Sequence, residues 1–287
     1  MPDSDKYPES SARRRFVKGV VGSASLAGVG VSTSAMIDTT TNPTGAGGGT
    51  TQYFAIENID GPAPRGMPMI PIEIDKDGYL MGQFPEWSKK EEAGKTIQVA
   101  EKKIGGITYS AEWFQYCGVQ TYPGLQPDSN QDNYFRYADN PPYQWQQENV
   151  NPGDKVHVDD FTDYQTWGDG IGAAGLGKPA QTTWRSQDVG NAGTMPVQVL
   201  RIPPDKFGDV QTDSEEWLKA ASKQNFIVWL DKCTHFCCVP GFKATAQSEK
   251  FDAENDIYCP CHQSVYNPYS IVKKTFVALP RPESNSS

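Results

Sequence analysis

The chain has 287 residues, 37% hydrophobic and 11% aromatic, enough apolar material to bury a core, which excludes a disordered or fibrous polymer. A formal net charge of −9 argues against a nucleic-acid partner, because a phosphate backbone selects for Lys and Arg. With 27 Gly and 22 Pro, the composition favours loops and β-structure over long helices.

Charge is unevenly spread. Residues 1–37 hold five basic and three acidic side chains, a net of +2, which leaves −11 for residues 38–287. An acidic exported part suits a basic partner, solvation at high salt, or ordinary solubility. The stretch 13–18 reads RRRFVK, and 19–37 then carries no charge until Asp38. Nineteen residues at about 1.5 Å each make about 28 Å of helix, close to the ~30 Å hydrocarbon core. Arg13-Arg14-x-Phe16-Val17-Lys18 resembles a twin-arginine export signal, with a Sec-type signal or a plain anchor as the alternatives. The basic cluster stays on the cytoplasmic side and the remainder crosses. Thr33-Ser34-Ala35 is a loose cleavage site, so removal of the segment is left open. TTTNPTGAGGGTT at 39–51 has the composition of a flexible linker, which a discarded signal would not need. The expected organisation is a cytoplasmic N-terminus over 1–18, a single membrane helix acting as signal-anchor over 19–37, and a hinge over 38–52.

Seven strand-like runs follow: YFAIENI (53–59), PIEI (71–74), TIQVAEKKI (96–104), KVHVDDF (155–161), PVQVLRIP (196–203), NFIVWL (225–230) and SIVKKTFVAL (270–279). They are short, rich in β-branched residues and bounded by Gly, Pro, Asn or Asp. The predicted fold is all-β and antiparallel. The span from about 110 to 195, rich in Tyr, Trp, Gln, Asn and Gly, reads as a loop-heavy elaboration. Its aromatics (Trp113, Tyr116, Tyr134, Trp145, Trp167, Trp184) suit either a core or a contact surface. GAAGLGKP (172–179) matches a phosphate-binding loop up to its last place, where Pro179 removes both the hydroxyl and the N–H that the site requires. DSEEWLKAASKQ (213–224) is the one helix predicted in the exported part, capped by Asp213 or Ser214.

CTHFCCVPGF (233–242) and CPCHQSVY (259–266) hold five of the six cysteines and two of the three histidines. Thiolates and imidazoles bind zinc, copper or iron–sulfur clusters. Cys233, His235, Cys259 and His262 offer two sulfurs and two nitrogens, a set that tetrahedral zinc accepts. Zinc leaves Cys238 and Cys261 unexplained, and a [2Fe–2S] cluster with one iron on sulfur and one on nitrogen suits the pattern better.

These residues resemble the two boxes of a Rieske iron–sulfur protein. Cys233, Thr234, His235 and Cys238 match the first box; Cys259, Pro260, Cys261, His262, Ser264 and Tyr266 match the second. The likeness spans about 195–282. It implies a fold of antiparallel β-sheets, with a β-rich base over 53–194, a cluster-binding subdomain over 195–282 and a disordered tail over 283–287. It also implies cluster ligation by Cys233, His235, Cys259 and His262, a Cys238–Cys261 disulfide, and potential-tuning hydrogen bonds from Ser264 and Tyr266. Pro280-x-Pro282 is similar to the proline loop that covers the cluster in that family. Cys237 and Gln263 stand where the family has glycine, so the loops are expected to differ there. Setting aside the ligands and that disulfide leaves Cys117 and Cys237, either bonded to each other or two buried thiols.

Replacing two thiolates with imidazoles makes such a cluster less negative; Rieske centres span about −150 to +300 mV, against about −400 mV for plant-type clusters. A ligated imidazole keeps one free ring nitrogen, so an electron and a proton can be taken together. The resemblance assigns quinol hydrogen bonding to His262 or His235, with His262 preferred. An oxygenase needs two further histidines for a mononuclear iron, and only His157, read as a half-exposed strand residue, remains. Among Rieske proteins, the anchor, linker, disulfide and Ser/Tyr pair together imply the Rieske subunit of a cytochrome bc complex, an oxidoreductase of the quinol–cytochrome c type. The implied partners are a cytochrome b-type subunit, quinol, the membrane and a cytochrome c-type or copper-protein acceptor, with the head on the extracytoplasmic face. The alternatives are the small subunit of an arsenite-oxidase-like complex and an exported zinc-binding structural domain.

Overall fold

β1 (Thr50–Asp60) runs antiparallel to β15 (Ser264–Val277), from Thr50 opposite Val277 to Asp60 opposite Val265. Two register shifts, at Ile56/Glu57 and Asn58/Asp60, bend the pair. This computed structural model describes residues 49–92 and 94–281, all within a unit that spans Asn42–Ser287. The segments 1–18 and 19–37 and the tail 283–287 lie outside the described residues. So does the linker up to residue 48; its last members, Thr50 to Gln52, are strand, because their extended, β-branched chain pairs with the end of β15. No helix among the described residues is long and apolar enough to cross a membrane.

The largest sheet continues from β15 to β14 (Ile257–Cys259) and β13 (Gly241–Phe242), and from β1 to β2 (Met67–Pro68). β11 (Gln211–Thr212) adds to β15 in parallel. A second sheet orders β12 (Phe226–Leu230), β10 (Met195–Arg201), β9 (Lys178–Trp184) and β8 (Phe135–Tyr137), all antiparallel. β9 and β10 pair across the 194/195 boundary, and β1 pairs with β15, so the two regions expected over 53–194 and 195–282 share both main sheets. A hairpin of β3 (Ile72–Ile74) and β4 (Leu80–Gly82) and a meander of β5 (Trp87–Glu92), β6 (Lys95–Ile104) and β7 (Ile107–Ser110) complete the strands. Helices are short: α1 (Gln144–Asn149), α2 (Pro204–Phe207) and α3 (Glu215–Ala221). The fold is therefore all-β with antiparallel pairing throughout, apart from β11.

β12 is buried at every position, which is why FIVWL shows no polar alternation. Residues 69 and 70 stitch the two sheets together: Met69 N–H donates to Phe54 O (2.9 Å) and Ile70 N–H to Val228 O (2.8 Å). The core between them is aromatic, with Phe54 stacked on Trp217 at 4.3 Å. Trp217 arrives on α3, whose N-cap Ser214 accepts from Trp217 N–H (3.1 Å).

The run 155–161 is not a strand. Lys155 and His157 make single bridges, and Val158–Phe161 turns as a 3-10 helix. His157 caps that turn through Nδ1 and the Asp159 N–H (3.2 Å), while Asp160 Oδ2 accepts from His157 N–H (3.2 Å). His157 and Asp160 form a reciprocal cap, and local capping overrides the alternation of KVHV.

Candidate metal centre

The two cysteine–histidine loops sit at one end of the largest sheet. Box one runs from the end of β12 to β13, and box two is the turn between β14 and β15, where Cys259 pairs with Ser264. The turn closes with Gln263 N–H donating to Cys259 O (2.9 Å). Box one closes with Cys233 N–H to Cys238 O (2.7 Å) and Cys237 N–H to Cys233 O (3.0 Å).

Cys238 and Cys261 form a disulfide between the loops, with Cα atoms 6.6 Å apart. Cys117 and Cys237 form a second, with Cα atoms 5.6 Å apart. Cys233 and Cys259 remain free, and both are buried. Cys238, Cys259 and Cys261 also hold their sulfurs within 4.8 Å of one another. That trio is no ligand set, because two of its sulfurs are spent in one bond and carry no thiolate.

The imidazoles of His235 and His262 lie 4.8 Å apart, centroid to centroid, at 84°. His262 is exposed; His235 is half-buried, and its Nδ1 is shut off from solvent without a hydrogen-bond partner. A buried ring nitrogen left bare is costly, and a coordinated metal ion would satisfy it. Phe236 stands beside both rings, at 4.4 Å from His235 and 5.0 Å from His262. Phe236 and Val239 are both exposed.

Tyr266, fully buried, donates its hydroxyl to Cys233 Sγ at 3.2 Å and accepts from Thr234 N–H at 3.2 Å. A hydrogen bond from Cys259 is the largest influence holding the Cys233 thiol down, to about 5, with Tyr266, the His235 backbone and Ser264 acting in the same direction against burial. The same contact pushes the Cys259 thiol up, since it must keep the shared proton. Burial also pushes Asp231, two residues before Cys233, well above the usual carboxylate range; the nearby Trp229 and Gln181 favour its charged form, yet neither carboxylate oxygen closes a hydrogen bond.

Both positions expected to favour glycine keep the left-handed backbone with a side chain in place: Cys237 has φ +66° and Gln263 φ +63°. Holding a side chain in that conformation carries a conformational cost.

The structure places Pro280 elsewhere. It lines a cavity of about 270 Å³ with Trp87, Gln98 and Leu125, and Leu279 N–H donates to Gln115 Oε1 (2.6 Å); Pro282 lies outside the described residues. The backbone against the boxes is 61–66, GPAPRG. Ala63 N–H donates to Ser264 Oγ (3.2 Å), and Arg65 O accepts from Thr234 Oγ1 (2.5 Å). Gly61, at φ +81°, approaches so closely that a Cβ there would lie 2.6 Å from Gln263 O. Sequence reasoning missed this segment; its signal is two prolines between two glycines directly after a strand.

Compared with known proteins, the chain matches no family model, no curated protein and no solved structure.

Proposed function

We propose that this protein is a Rieske-type electron carrier, the membrane-anchored [2Fe–2S] subunit of a cytochrome bc-type complex, taking an electron and a proton from quinol. One observation carries the reading: the two unpaired cysteines and the two facing imidazoles converge on one loop pair, and every other cysteine is tied into the frame around them. The donor set fits the group. Cys233 and Cys259 are buried free thiols, and the bare Nδ1 of His235 provides a coordinating nitrogen. Cys233 and Cys259 would hold one iron, and His235 and His262 the other. When bound, the cluster supplies reversible one-electron transfer at a potential raised by its imidazole ligands.

The chain's own residues do the rest. Exposed His262 presents its outer ring nitrogen to a quinol hydroxyl and takes the proton at that atom. Exposed Phe236, beside both rings, supplies an apolar edge that excludes water from that contact. Tyr266 donates to the Cys233 sulfur, and Ser264 couples the site to the 61–66 segment. The Cys238–Cys261 bond holds the two loops in register. The anchor over 19–37 and the linker would keep this head on the extracytoplasmic side, between a cytochrome b-type partner and a cytochrome c-type or copper acceptor.

Iron and acid-labile sulfide analysis of the purified protein tests the reading. Two of each per chain support it, with loss of both in Cys259→Ser. Zinc at one per chain without sulfide favours a structural metal domain instead.

A further inference from the structure

Cys237 is an L-residue held at φ +66° in the loop that carries Cys233 and His235, and its partner Cys117 sits at φ +53°. That backbone region favours glycine, so each position relaxes unless something holds it. One contact reaches Cys237 itself and three reach Lys232 and Cys233 at the start of its loop, all from the short segment 116–122 of the middle elaboration. Cys117 bonds covalently to Cys237. Cys117 Sγ lies 3.7 Å from Cys233 O. Tyr116 hydroxyl donates to Lys232 O (3.0 Å), and Lys232 Nζ donates to Tyr122 hydroxyl (2.5 Å). Arg65, whose carbonyl receives Thr234, donates from Nη2 to Gln115 O (3.1 Å) and so ties the 61–66 segment to the same shelf.

We propose that Cys117 and Cys237 are positioning residues: their bond holds residue 237 in the left-handed conformation that aims Cys233 and His235 at a metal, and the 111–125 segment exists to carry it. The bond thus does by covalent constraint what a glycine would do by conformational preference. The Cys237 N–H to Cys233 O hydrogen bond, at 3.0 Å, depends on that conformation and is the local sign of it. The inference rests on the metal-binding reading above, but its first readout needs no metal.

The test compares wild type, Cys117→Ser, and the double variant Cys117→Ser/Cys237→Gly. Neither variant has the cross-link; only the second has glycine where the left-handed backbone is needed. Two quantities are read: the exchange protection of the residue-237 amide, and the rate of iron loss to a chelator from the full-length protein. Cys117→Ser should lose at least fivefold of its amide protection and release iron at least fivefold faster. The double variant should return both to within about twofold of wild type. If the double variant is as unprotected as the single one, or does not fold, the bond acts as a general cross-link and the proposal is overturned. If Cys117→Ser does not accumulate, the double variant decides alone: wild-type protection supports the proposal and lost protection refutes it. Wild-type protein without iron–sulfur would sink the metal reading, while the amide comparison would still stand.

Discussion

Tyr266 is the side chain whose chemistry is most directly tied to the site. Its hydroxyl reaches Cys233 Sγ at 3.2 Å, and a donor there stabilises whichever state places more negative charge on sulfur. If that hydrogen bond is worth ~1.5 kcal/mol more in the reduced state, removing it lowers a one-electron potential by about 60 mV. Tyr266→Phe should show that drop in a redox titration, and an unchanged midpoint would remove the tuning role. Ser264→Ala should lower the potential by a similar amount and also free the Ala63 N–H, so its 61–66 segment should exchange faster. Asp256 supplies a pH test beside box two. Burial, aided by Glu254, lifts its carboxyl to about 6. The folded state therefore binds that proton more tightly than the unfolded chain does. The resulting stability is full below the ordinary carboxylate range and is lost as pH rises through about 6. Asp256→Asn should raise the melting temperature at pH 8 and leave it nearly unchanged at pH 4; an equal effect at both would contradict the assignment.

Elements were legible in the sequence where local pattern and tertiary demand agree. β6, β10 and β12 were readable because β-branched residues recur between clear breakers, and α3 because Ser214 caps it and glutamates follow. β9 was not, since KPAQTTW carries lysine and threonine, Lys178 and Thr182, in places that packing nevertheless buries. KVHVDDF misled in the opposite direction, because His157 and Asp160 cap a turn. The pairing of β1 with β15 is a contact between chain ends that no local signal encodes. The site divides in the same way. Ligand spacing is written in side chains, so the cysteine–histidine boxes were readable. The contact from 61–66 works through Ala63 N–H and Arg65 C=O, main-chain groups that carry no side-chain signature. Cysteine pairing beyond the boxes stayed open because connectivity is a three-dimensional fact. The aromatic core gives an element-level prediction. Trp217 stacks on Phe54 at 4.3 Å and is fully buried, so Trp217→Ala should cost about 3–5 kcal/mol in urea unfolding. A loss below ~1 kcal/mol would mean α3 does not anchor the two sheets.

For the whole molecule, the proposal joins a folded redox head to an anchor it does not itself contain. Full-length protein should fractionate with membranes, and a chain starting at residue 49 should be released with its iron intact. A released full-length chain would contradict the anchor, and loss of iron on truncation would contradict an independent head. The central claim is narrower: one iron on sulfur, one on nitrogen, at a single loop pair. Electron spin-echo or nuclear double resonance on the dithionite-reduced protein addresses it directly. The account predicts a spin-coupled [2Fe–2S] signal with two strongly coupled nitrogens, one of which disappears in His262→Cys. A signal without coupled nitrogen, or a protein that stays colourless and silent after reduction, would contradict it.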